Sequence, residues 1–254
     1  MRVDLRRRFL RTLGLLVAIT AFVGASAAVA GPPYATDDPE PVDPQHWEIN
    51  TGVTYQNTGQ GEVTGSAPFA EFNYGVRPNI HVTLALPLDY SYTPDSHSHS
   101  YGGTGIGVKY RFVQETDHRP QIAFVPSVEI PSQAGAHTVT FLPLWLQKSS
   151  GPWTVYGGGG LNINPGPDNR NFTFVGAVVT RTVSPATTLG AELFHQGADT
   201  VDGIGSTGAN VGLTTQLDEH HALLLSIGRS LGGASNSFSG YAAYRFMLGP
   251  AEKK

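Results

Sequence analysis

The sequence has 254 residues, no cysteine, 31 glycines and only 14% charged residues. Disulfides therefore contribute nothing to its stability, and the composition favours many turns and strands over helices. Its 16 basic and 20 acidic residues fall to 11 and 19 once Arg2, Arg6, Arg7, Arg8, Arg11 and Asp4 of the leader described next are set aside, a balance of −8 that argues against nucleic acid as a partner.

The first thirty residues read as a secretory signal peptide. Arg2 to Arg11 are basic, Leu13 to Gly24 form a short apolar run, and Ala28-Val29-Ala30 supplies a small-x-small cleavage pattern. The expected mature chain starts at Gly31. The next stretch, GPPYATDDPEPVDPQHWE, holds five prolines between Pro32 and Pro44, which deny it a place in a regular ladder. Residues 31–45 are thus an acidic, proline-rich segment ahead of the first strand.

From residue 46 to 248 the recurring signal is period-two alternation in segments of about ten residues. In NIHVTLALPLDYSY, Ile80, Val82, Leu84, Leu86, Leu88, Tyr90 and Tyr92 share one face, with His81, Thr83, Ala85, Pro87, Asp89 and Ser91 on the other. HWEINTGVTY and SGYAAYRFML alternate in the same way, setting Glu48 and Arg245 opposite the apolar face. A soluble sandwich would fit that pattern too, but its polar faces would carry abundant Lys and Glu. Here the polar positions are small or uncharged with a few charges, as in the lumen of a membrane barrel. Parity sends Glu48, Glu71, Asp89, Lys109, Arg111, Glu129, Glu192 and Arg245 inward. A lipid-facing Arg or Lys at mid-membrane would cost about 2–4 kcal/mol. The strands around 138–147, 172–183 and 221–230 have apolar residues at both parities, and the facing of Arg181 and Arg229 stays open.

Short turns are expected at Gly75-Asn79, Gln114-Pro120, Ser149-Pro152, Ser184-Ala186 and Leu217-His220. Longer polar loops are expected at Asn57-Gly61, Pro94-Gly103, Ser132-His137, Asn164-Asn171, Ala198-Thr207 and Leu231-Ser237. These divide the chain into an all-β, antiparallel up-and-down transmembrane β-barrel of about 12 strands, with both termini on the short-turn, periplasmic side. Residues 249–254 form a periplasmic tail beyond the last strand.

Several of these segments together resemble a known family. PPYATDDPEPVDPQHWE, GGTGIGVKYRF (Gly102 to Phe112), FVPSVEIPS (Phe124 to Ser132), LPLWLQKSSGPWTVYGGGG, LGAELFHQ (Leu189 to Gln196) and HHALLLSIGRS (His220 to Ser230) are similar, in order and spacing, to the outer-membrane transporters named after the meta pathway of phenol degradation. The resemblance implies an outer-membrane barrel passing small hydrophobic or aromatic compounds, and it brings no catalytic residues. The chain departs from the family at Thr104, where an acidic residue is usual.

Other constellations carry less chemistry. His97 and His99 in SHSHS have a chelating spacing but no third ligand, so no metal is expected. His220-His221 sits at a turn. Gly157 to Gly160 is not a phosphate loop, because no Lys-Ser/Thr follows and the run continues a strand; its glycines suit curvature or close approach. No G-x-S-x-G elbow occurs. The expectation is no enzyme and no cofactor, with a lipid-modifying barrel enzyme and a closed structural or adhesion barrel as alternatives.

Near the expected periplasmic ends, Trp47, Trp145, Trp153, Tyr110, Phe112, Tyr244 and Phe246 suit an aromatic girdle, and Tyr90, Tyr92 and Tyr101 suit an upper one. Tyr244-Arg245-Phe246 resembles the terminal signal read by the barrel assembly machinery. The expected pathway residues are Asp89, Lys109, Arg111, Glu129, Glu192 and Arg245. Ion pairs of Glu129 and Glu192 with Lys109 and Arg111 would narrow the pore. Thr36, Asp37 and Asp38 lie within reach of Lys109 or Arg111 if the first segment folds back as a plug; a disordered periplasmic leader is the other reading. The expected protein is a monomer in outer-membrane lipid, with a small hydrophobic or aromatic solute as its partner.

Overall fold

The computed structural model describes residues 32–57, 61–233 and 237–250. The expected leader, its cleavage site and the last four residues of the expected tail lie outside the described residues.

Alternation is realised as strands almost without remainder. They are β1 (Trp47–Asn57), β2 (Val63–Arg77), β3 (Ile80–Tyr92), β4 (His97–Tyr101), β5 (Gly103–Val113), β6 (Gln121–Phe124) and β7 (Ser127–Pro131), followed by β8 (Val139–Ser150), β9 (Trp153–Ile163), β10 (Phe172–Ser184), β11 (Thr187–Gln196), β12 (Ser206–Gln216), β13 (His221–Gly232) and β14 (Phe238–Leu248). Neighbours pair antiparallel, and β1 pairs with β14 from Trp47↔Leu248 to Asn57↔Phe238, which closes the ring. Two pairs of strands are collinear. β4 and β5 both run beside β3 and are separated at Gly102, whose N–H still reaches Pro87 O at 3.0 Å. β6 and β7 both run between β5 and β8, interrupted at Val125-Pro126. The wall is therefore a closed antiparallel barrel of twelve staves. Closure leaves no unpaired edge, the condition for spanning a membrane with strands.

The sides follow the alternation. Outward positions such as Val82, Leu84, Leu88, Leu144, Leu146, Val175, Leu193, Val211 and Ile227 are exposed, while Asn50, His81, Lys109, Gln121, Gln147, Glu192 and Arg245 are buried inside. A water-soluble sheet would show the reverse. Staves of 10 to 17 residues at about 3.3 Å each, tilted, cover a hydrocarbon band of about 25 Å.

Short connections at 78–79, 114–120, 151–152, 185–186 and 217–220 share one end with the start of β1 and the end of β14. One loop expectation is corrected. Of the stretch Pro94–Gly103, only residues 94–96 turn, and His97–Tyr101 is strand β4, paired with Leu88–Tyr92. Tyr92 holds it there, its ring 5.0 Å from His97 and 5.3 Å from His99, with its hydroxyl 2.8 Å from His99 Nε2. Cross-strand aromatic pairs compensate for weak strand formers.

Candidate functional site

The inner face of the wall is made of side chains that alternation brings together, and against it lies the proline-rich segment. Residues 32–45 form no strand, as their prolines require. They pass the staves one after another. Pro33 O accepts the Ser226 hydroxyl of β13 at 2.7 Å. The backbone N–H groups of Ala35 and Thr36 donate to Glu192 of β11 at 3.1 and 2.6 Å, and that carboxylate also accepts from Asn210 of β12. Lys109 of β5 places its Nζ 3.0 Å from Asp37 Oδ1 and 3.6 Å from Asp38 Oδ1. Arg111 pairs with Glu40. Val42 N–H donates to His81 Nδ1 of β3 at 3.0 Å. Gln45 N–H donates to Gly75 O of β2 at 2.7 Å, just before β1 begins.

Glycines in the wall make room for this course. A methyl group at Gly176 of β10 would overlap Thr36 Oγ1, one at Gly190 the Tyr34 hydroxyl, and one at Gly75 the Asp43 carbonyl. Thr36 and Asp38 are fully buried as a result. Burial pushes the Asp38 carboxyl above the usual carboxylate range, against the opposing pull of Lys109. It pushes the Tyr34 phenol up as well, with Glu192 adding to the effect.

Asp37 and Asp38 lie on Lys109, as expected of a segment folded back, but Glu129 and Glu192 do not pair with Lys109 and Arg111. Lys109, Arg111 and Glu192 are engaged by the segment, and Glu129 makes no ion pair among the described residues. The reason is reach. Glu129 is on the stave next to Lys109 but opposite Gly105, four residues along, while the segment brings carboxylates directly to Lys109 and Arg111 and backbone N–H groups to Glu192. Glu40 and His81, absent from the expected site, belong to it; for Glu40 the only signal was the acidity of the segment. Arg245 Nε instead lies 3.0 Å from Asn50 Oδ1 and 3.4 Å from Glu48 Oε2. The Nδ2 groups of Asn50 and Asn73 donate to Glu71 at 3.2 and 2.9 Å. Asp89 stands apart toward the long-loop end, accepting from Ser66 at 2.7 Å.

Trp145 is a correction. It is not in the girdle but inside, 1% exposed, with its ring 6.2 Å from Phe141 and 6.3 Å from Phe174. The outward face of β8 belongs to Leu142, Leu144 and Leu146. The neighbouring stave offers Gly158 directly opposite, where a side chain would overlap the Leu144 carbonyl and press on the indole. Gly158 has φ +151°, a conformation suited to glycine. The other girdle candidates face outward at the short-turn end. Trp47, Trp153, Tyr110 and Phe112 are exposed and Tyr244 and Phe246 half-buried. Arg181 is also outward there, stacked 5.2 Å over Trp153, and Arg229 is outward near the opposite rim.

Between the segment and staves β2, β3, β5, β7 and β8 lies a cavity of about 650 Å³. Phe141, Pro143 and Trp145 line one side, and Asp37, Asp38, Glu48, Glu71, Lys109 and Glu129 line others. Gly103, Gly105 and Gly107 leave the inner face of β5 bare beyond Lys109, toward the long-loop end. Ile106 and Val128, outward by parity, also reach the cavity.

No family model and no curated relative matches the sequence. Among solved structures, the chain is similar to an outer membrane channel from Pseudomonas putida F1, with TM-score 0.61 and 15% identity over 82% of this chain and 97% of that one. It is similar to the NanC porin, with TM-score 0.57 and 9% identity over 80% and 99%, and to the KdgM porin in complex with oligogalacturonate, with TM-score 0.56 and 12% identity over 78% and 98%. At such identities the likeness is one of fold. This chain has the fold of outer-membrane β-barrels.

Proposed function

We propose that the protein is an outer-membrane channel that passes small hydrophobic or aromatic solutes, and that its first segment sets the width of the path. One observation carries the reading: a cavity of about 650 Å³ with Trp145, Phe141 and Pro143 on its wall and the segment across it. The volume falls within the roughly 300–1,000 Å³ of small-molecule sites. A lumen for ions alone has no use for an indole facing inward, since burying it there costs the outward face an anchor. The cavity also touches Ile106 and Val128. Beside them Pro126 and Pro143 remove ladder donors, so the wall is weakest where an apolar solute would leave sideways into lipid. The segment contributes the opposite surface and is the narrowing element. Resemblance to the phenol meta-pathway transporters and likeness to channel structures both support this assignment, and outer-membrane residence goes with it.

The test is solute uptake in proteoliposome swelling, using a panel of aromatic and aliphatic solutes of matched size, with and without residues 32–44. Deletion is expected to raise both conductance and uptake rate. An intact protein that admits none of the panel, and a deletion that changes nothing, would overturn the reading.

A further inference from the structure

The cavity is electrically lopsided. Asp37 and Asp38 share Lys109, Glu40 takes Arg111 and Glu48 takes Arg245. Three carboxyl groups on the lining have no ion pair among the described residues: Asp43 toward the short-turn end, Glu71 midway and Glu129 toward the long-loop end. Glu71 is held by the amides of Asn50 and Asn73, which fix its position without cancelling its charge. Lys109 is the one Lys or Arg on the described lining, and its ammonium is turned onto the segment. His81 accepts the Val42 N–H through Nδ1, the role of a neutral imidazole.

A row of carboxylates between low-dielectric walls focuses its field along the path and concentrates cations there. The same lining carries the rings of Phe141 and Trp145, whose quadrupoles attract cations and repel anions. Both surfaces act on charge in the same direction.

We propose that the pathway is cation-selective, with Glu71 and Glu129 as its selectivity-determining residues, and that among aromatic solutes it favours those carrying a positive charge and turns away aromatic carboxylates and sulfonates. This deepens the channel reading above and rests on it.

The full-length protein in planar bilayers under a potassium chloride gradient should show potassium permeating at least about tenfold faster than chloride. In bi-ionic conditions phenyltrimethylammonium should carry current and benzenesulfonate should not. Both are permanently charged and do not cross the lipid unaided. The double variant E71Q/E129Q should bring the potassium to chloride ratio close to one. Gln at 71 still accepts from the two asparagines, and Glu129 is exposed to the lumen, so the barrel is preserved; E129Q alone should give an intermediate ratio. A ratio at or below one in the unaltered protein, or a ratio that the double variant leaves unmoved, would overturn the proposal. A protein that inserts but passes neither ions nor either organic probe would overturn the channel reading itself.

Discussion

Lys109 shows how much one residue holds in place. Its side chain is 5% exposed and serves Asp37 and Asp38 together. Replacing it with Met leaves Asp37 and Asp38 facing an apolar neighbour, a cost on the order of 3 kcal/mol if they stayed where they are, at the low end for a buried pair because Asp37 is a third exposed. The segment has a cheaper course, which is to leave the wall. Lys109→Met is therefore expected to raise single-channel conductance toward that of the segment deletion while the barrel keeps its resistance to heat in detergent; unfolding at lower temperature with unchanged conductance would show that the pair holds the wall instead. The inward facing of Lys109 was legible because GVKYRF alternates cleanly. That of Trp145 was not, since Phe141, Leu142, Leu144, Trp145 and Leu146 put apolar side chains on both parities, and period two then carries no sign. Only the opposite stave, with Gly158 beneath the indole, decides it.

At the level of elements, turns and strands were readable because lipid on one side and a crowded lumen on the other enforce alternation. The exception is instructive. Ser96-His97-Ser98-His99-Ser100 has no β-branched residue, and its composition says loop. Its strand exists through Tyr90 and Tyr92 of the facing arm: Tyr92 meets His97 and His99 edge to face, and Tyr90 lies tilted against His99. Tyr92→Ala removes both ring contacts of the hairpin tip and the hydroxyl bond, each worth roughly 0.2–1 kcal/mol. The amides of His97 to Tyr101 should then exchange with deuterium faster, while those of β5 stay protected. Equal protection in both would mean that the ladder alone sustains β4. The breaks at Gly102 and Val125-Pro126 were likewise invisible in advance. Proline and glycine announce an interruption, but only the register beyond it tells whether the stave resumes on the same line, as both do here.

For the whole molecule, the closed ring of twelve staves could be counted from turn spacing; charge pointed to Asp37 and Asp38 beside Lys109, where they lie, but not to the segment's course past the other staves. Its contacts depend on which staves become neighbours after the sheet has rolled up, and that is a property of closure. The segment touches β13, β12, β11 and β10, then β5, β3 and β2. It is not drawn out straight, because Asp38 N–H turns back to Asp37 Oδ1 and Glu40 N–H to Asp38 Oδ1. A flat sheet would set β13 and β2 about nine strand spacings of roughly 4.8 Å apart, close to the full reach of the dozen residues between Pro33 and Pro44. Only a sheet already curled offers all these contacts at once. Seating the segment thus rewards curvature, and it favours the meeting of β1 with β14 from within, as a hoop laid inside a cask draws the staves together. A chain lacking residues 32–44 should close more slowly when refolded into detergent micelles, with the delay confined to the step that brings Trp47 beside Leu248. Read this way, the segment belongs as much to the birth of the barrel as to its traffic.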